Sequence, residues 1–136
     1  MKKLVIAFVS ILFMGCLTTS LIGNANVSVT YTVKNNSYDT EWVVIEYKDI
    51  LGEVEEELYM KPGESWVKTI NFRLPEYGSE HLYVAAHSLF GAFETIITID
   101  DINQSVRTGS QRKTSGREYL SLSQMHIDRD KIRRYR

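Results

Sequence analysis

Val27-Ser28-Val29-Thr30-Tyr31-Thr32-Val33-Lys34 decides the fold class, because apolar and polar residues alternate along it without a break. Successive side chains of a β-strand point to opposite faces, so Val27, Val29, Tyr31 and Val33 form one buried face. Ser28, Thr30, Thr32 and Lys34 form the other, turned to water.

The same period recurs along the chain on both sides of short turn segments. Asn35 to Asp39 carries turn chemistry, and Glu41 to Lys48 follows as a second strand with Val43, Ile45 and Tyr47 on one face. Trp42 and Val44 make its other face apolar too, which predicts a central strand. After Asp49 to Gly52, Val54, Leu58 and Met60 share a face that Glu56 interrupts, while Glu53, Glu55 and Glu57 line the opposite face. Such an acidic row predicts an edge strand, since its charge discourages edge-to-edge pairing. Lys61-Pro62-Gly63-Glu64 places Pro and Gly where a type II turn needs them. Ser65 to Phe72 is therefore predicted to form a hairpin with the strand before it. His81 to Ser88 and Ala92 to Ile99 complete six strands.

Beyond Asn103 the pattern weakens. Arg107 to Arg117 is polar and basic and predicts a mobile loop, Tyr119 to Ser123 offers a seventh strand, and Met125 to Arg136 a short, frayed helix. Strands separated by turns of two to seven residues, with no helix between them, predict an all-β antiparallel sandwich of about seven strands. Over Val27 to Ile99 the pattern is similar to that of immunoglobulin-like domains, without the Cys, Trp, Cys framework of antibody domains. The resemblance is one of architecture and carries no function.

An export segment precedes this body. Lys2 and Lys3 form a positive start, Leu4 to Met14 an apolar run, and Gly23-Asn24-Ala25 presents small residues at a peptidase site. Cleavage after Ala25 is the preferred fate. Lipidation of Cys16 is the first alternative, with Gly15 in its favour and Phe13 and Met14 against it. An uncut anchor over Leu4 to Ile22 is the second alternative, weakened by Gly15, Thr18, Thr19 and Ser20. The predicted organisation is a signal peptide over 1–25, a sandwich body over 26–104 and a basic extension over 105–136.

Cys16 is the only cysteine, so the processed chain of 111 residues has no disulfide, thiol nucleophile or cysteine ligand. The overall formal charge of −1 conceals an asymmetry. Asn26 to Gln104 holds 5 Lys and Arg against 14 Asp and Glu, a net of −9, whereas Ser105 to Arg136 holds 9 against 3, a net of +6. The tail either folds back on the acidic body or meets an external anion.

No nucleophile elbow, zinc-protease helix, phosphate loop or dinucleotide fingerprint occurs, and no cofactor is implied. His81 and His87 lie on one strand face about 20 Å apart, too far to share a metal ion. Asp100-Asp101 lacks the spaced ligands and glycine of a calcium loop. Tyr59 and Tyr83 stand opposite the more apolar faces of their strands and are the candidate contact residues, whereas Trp42 and Trp66 read as packing residues. Arg129, Lys131, Arg133, Arg134 and Arg136 form a cationic cluster diluted by Asp128 and Asp130. For an exported chain its partner would be a headgroup or wall polymer rather than nucleic acid. Asn35-Asn36-Ser37 and Asn103-Gln104-Ser105 match glycosylation sequons. The expectation is an extracytoplasmic, non-catalytic binding or assembly module with a protein or envelope-surface partner. A lipoprotein assembly subunit and an extracytoplasmic enzyme are the alternatives.

Overall fold

A computed structural model describes residues 26–90, 92–99, 104–108, 110–112 and 119–135. Cys16, Ala25, Asp100, Asp101, Asn103 and Arg136 lie outside the described residues. Among the described residues the chain forms nine strands and one short helix: β1 (Asn26–Asn35), β2 (Glu41–Asp49), β3 (Gly52–Met60), β4 (Ser65–Arg73), β5 (Glu80–Ser88), β6 (Phe93–Ile99), β7 (Gln104–Thr108), β8 (Ser110–Arg112), β9 (Tyr119–Ile127) and α1 (Arg129–Tyr135). The strands make two antiparallel sheets. One has β4, β1 and β6 with β7 added at its edge, and the other has β3, β2, β5 and β9 with β8 added at its edge.

Alternation fixes what each sheet turns inward. Val27, Val29, Tyr31 and Val33 from β1 meet Val43, Ile45 and Tyr47 from β2, Leu82, Val84 and Ala86 from β5, and Phe93, Ile97 and Ile99 from β6 in one core. Each fully buried aliphatic side chain contributes about 1.5–3 kcal/mol by leaving water. Polar groups in this core are matched across the sheets. The Thr95 hydroxyl on β6 lies 3.1 Å from that of Ser121 and 2.9 Å from that of Ser123 on β9, and Ser123 also donates to the Thr95 carbonyl.

The expected hairpin between β3 and β4 does not form. The Lys61 to Glu64 turn is present, with Glu64 N–H donating to the Lys61 carbonyl and Gly63 at φ +76°, yet it carries the chain from one sheet to the other. Asn35 is the cause. Its N–H donates to the Glu64 carbonyl, its carbonyl accepts from Gly63 N–H, and its side-chain amide donates to the Met60 and Asp39 carbonyls. The turn is thereby stitched to the end of β1, and β4 pairs with β1 from Lys34–Ser65 to Asn26–Arg73. Asn35 is fully buried, which also removes it as a glycosylation acceptor in the folded chain.

Glu56 explains its own interruption of the apolar face of β3. Its carboxylate accepts from Tyr47 Oη at 2.8 Å and from Trp66 Nε1 at 3.0 Å, and Lys68 Nζ stands 3.9 Å away. Tyr47 belongs to the β2 side and Trp66 and Lys68 to β4, so the glutamate clasps the open side where the two sheets part. Tyr31 and Tyr47 lie 5.9 Å apart, and Tyr47 and Trp66 5.2 Å apart, extending the clasp inward as an aromatic run.

The segment expected as a loop over Arg107 to Arg117 is partly strand. β7 pairs with β6 from Ile99–Gln104 to Thr95–Thr108, and β8 pairs with β9. An existing strand supplies the partners and register there, so a weak local pattern suffices. β9 runs four residues beyond the expected Ser123 to Ile127 and lies inside its sheet, between β5 and β8. Met125 therefore belongs to the strand and not to the helix. Asp128 caps α1 by accepting from Lys131 N–H at 2.6 Å, and Ile132 anchors the helix in the core.

Candidate binding surface

The topology gives the sandwich two ends of different character. At the Asn35 end lie the loops 36–40 and 61–64, and Leu89, Phe90 and Ala92 between β5 and β6, together with the start of β2 and the close of β3. At the Asn26 end lie the Ile50–Leu51 turn, the 74–79 loop and α1.

Large side chains stand in water at the Asn35 end. Trp42 and Tyr59 are direct cross-strand partners on the outer face of the five-stranded sheet, 38% and 73% exposed. Leu89, 44% exposed, directly follows β5, whose pairing with β2 runs from Tyr47–Val84 to Val44–His87. Tyr38 and Phe90, 98% and 78% exposed, occupy the tips of the two adjoining loops. Those loops are tied together, with Asn36 N–H donating to the Ala92 carbonyl at 2.8 Å and Ala92 N–H to Ser37 Oγ at 3.1 Å. Ser37 is in turn held by Asn35 Oδ1, which accepts from its N–H at 2.8 Å and from its hydroxyl. Bulky apolar side chains exposed together at one end of a sandwich are the kind of surface that interaction sites use.

The two tyrosines singled out by strand pattern separate. Tyr59 belongs to the aromatic end. Tyr83 is half-buried further along the same sheet, where burial first, then the nearby Glu53 carboxylate, pushes it up to about 12. It is not a free contact residue. Trp66 is a packing residue as expected, but Trp42 pairs with Tyr59 on the solvent side. Tyr38, Leu89 and Phe90 escaped the sequence reading because they lie in turns, where no period assigns a face. Their signal is size, since a bulky apolar residue in a turn has no strand face to bury it.

The cationic cluster is divided by its own contacts. Arg129 donates to the Leu74 carbonyl at 3.1 Å, and Lys131 donates through Nζ to the His126 carbonyl at 3.2 Å. Arg133 makes an exposed 3.9 Å pair with Asp130, and Arg134 donates to the Asp130 carbonyl. Arg129 and Arg133 also border an open cleft of about 700 Å³, shared with Glu76, Tyr77, Asp128 and Asp130. Three acids against two cations make this cleft a poor receptor for an anion.

The histidines do not converge as a triad. His81 stacks on its cross-strand partner His126 with ring centroids 4.5 Å apart, whereas His87 Nε2 lies 3.4 Å from Glu46. Among the described residues no group of three or more His, Cys, Asp or Glu is placed to hold a metal ion. No described helix is long and apolar enough to cross a membrane. Comparison of the chain with protein-family models, with curated proteins and with solved structures returns no match.

Proposed function

We propose that the chain is an exported, non-catalytic binding or assembly module of the cell envelope or secreted space, and that it takes a protein partner at its Asn35 end. The observation that carries this reading is the exposure of Tyr38, Leu89 and Phe90 on loops tied through Asn35 and Ser37, at the end of the sandwich where Trp42 of β2 and Tyr59 of β3 also stand exposed. A tied loop loses little freedom on binding, so the burial of its aromatics is not offset by ordering. Tyr and Trp add large contact area with few rotatable bonds. The export segment over 1–25 supports an extracytoplasmic location, with a Cys16 lipoprotein as the second form of the same module.

The finer architectural reading is an immunoglobulin-like sandwich with one altered connection. Pairing of β1 with β4 and of β2 with β5 parallels the B–E and C–F pairs of that fold, with β3 in the place of a C′ strand. β6 departs from it by returning to the first sheet beside β1, and β9 fills the place next to β5.

Photo-crosslinking in the native host tests the reading. A photoreactive residue in place of Tyr59 or Phe90 should give a discrete crosslinked band, and one in place of Asn71, on the outer face of β4, should not. Equal crosslinking at all three positions, or none at Tyr59 and Phe90, contradicts it.

A further inference from the structure

Two imidazoles far apart in sequence meet on the outer face of the five-stranded sheet. His81 near the start of β5 and His126 near the close of β9 are directly opposed in the pairing of those strands, with ring centroids 4.5 Å apart and planes 22° from parallel. Both side chains are exposed. No hydrogen bond or ion pair to either ring is found among the described residues, in contrast to His87, whose Nε2 stands 3.4 Å from Glu46. Four ring nitrogens are thus open to a ligand from solution.

The spacing suits a metal ion. Directly opposed residues place their Cβ atoms about 4.5–5.5 Å apart. Two metal–nitrogen bonds of about 2.0–2.1 Å set their nitrogens some 3 to 3.5 Å from each other. The torsion about Cβ–Cγ of histidine is broad, so each ring can turn a nitrogen toward its neighbour while the strands stay in register. The two imidazoles then chelate one ion, and water fills the other positions.

Charge near the pair is close to balanced. α1 and its cap carry four cations against two carboxylates, whereas the outer rows of β2 and β3 carry Glu46, Glu53, Glu55 and Glu57 against Lys48. Lys131 is the nearest cation, with Nζ donating to the His126 carbonyl at 3.2 Å. The field therefore neither makes nor forbids a cation site, and selection falls to the donor atoms. Imidazole nitrogen suits copper and zinc, whereas calcium and magnesium take oxygen. Copper(II) leads the order of affinity and accepts two nitrogens with water in a tetragonal set.

We infer that His81 and His126 form a two-histidine site for a divalent transition cation, copper(II) ahead of zinc, which clips β9 to β5. β5 is the middle strand of its sheet and β9 leads into α1, so the ion would fasten the C-terminal segment to the body. Such an ion holds the folded chain and not the unfolded one, in which the two rings move independently. The pair stands apart from the partner reading of the Asn35 end, and its failure to bind leaves that reading intact.

Copper(II) is titrated into the untagged full chain in nonionic detergent, beside His81→Asn, His126→Asn and His87→Asn. Wild type and His87→Asn should take up one ion per chain, with electron paramagnetic resonance showing coupling to two ring nitrogens. His81→Asn and His126→Asn should each show one nitrogen and bind roughly 10- to 100-fold more weakly. Zinc in excess should compete, and calcium should not. Copper should also raise the melting temperature of wild type and leave those of His81→Asn and His126→Asn unchanged. Without metal these three should melt together, because both replaced side chains are exposed. Copper uptake that is unchanged in His81→Asn and His126→Asn, or that is lost in His87→Asn, overturns the inference. So does a wild type that couples to one nitrogen only, or that takes up no ion at millimolar copper.

Discussion

Asn35 ties three other segments to β1. Its amide donates to Met60 and Asp39, its side-chain oxygen accepts from Ser37, and its backbone bonds the 61–64 turn. A buried amide left without partners costs about 1–3 kcal/mol for each group stranded. Asn35→Ala should therefore lower unfolding free energy by roughly 3 kcal/mol in a urea titration, with the slope unchanged. A loss below about 1 kcal/mol would mean that the turn holds itself. Sequence composition marked Asn35 only as a turn residue. Its burial depends on Met60 and Glu64, some 25 to 29 positions away, which no local period encodes.

At the scale of elements, alternation made the strands readable because each sheet buries one face, and β1, β2 and β5 keep the expected alternation almost residue for residue. Sheet assignment was not readable. The Pro62-Gly63 signal specifies a turn, and nothing within four residues says whether the next strand pairs with β3 or crosses to β1. The same limit hid β7 and β8, whose pairing depends on edges offered by β6 and β9. Glu56 looked like a defect in β3 and instead clasps the two sheets through Tyr47 and Trp66.

That clasp gives the fold an alkaline limit. Burial, then the hydrogen bond to Glu56, pushes Tyr47 up to about 12 from its ordinary value of 10, and Tyr31 and Tyr83 are raised as well. The unfolded chain releases these protons above pH 10 while the folded chain retains them. Stability is thus complete below pH 10 and falls as pH rises through 12. The melting temperature should drop across that window, less steeply in Tyr47→Phe, which has no proton to lose. An equal slope in wild type and Tyr47→Phe would remove Tyr47 from the account.

On the scale of the whole molecule, the two ends divide the chemistry between them. Tyr59 was legible as an outward-facing residue because its strand alternates, whereas the exposure of Tyr38, Leu89 and Phe90 was not, because loops carry no period. The basic tail was legible as charge and, in outline, as a strand and a short helix, but not in its packing: β9 lies within a sheet, α1 is anchored by Ile132, and Arg129 and Lys131 are bonded to backbone carbonyls. Net charge along the chain thus overstated how much of the tail can reach a partner. The central claim is that the aromatic end is covered where the protein works. Hydroxyl-radical footprinting compares side-chain oxidation of the purified chain with that of the chain in its native cells. Tyr38, Tyr59 and Phe90 should be protected several-fold in cells relative to Tyr77 on the 74–79 loop, which is 86% exposed at the Asn26 end. Oxidation of all four at the same relative rates in both settings would contradict the account.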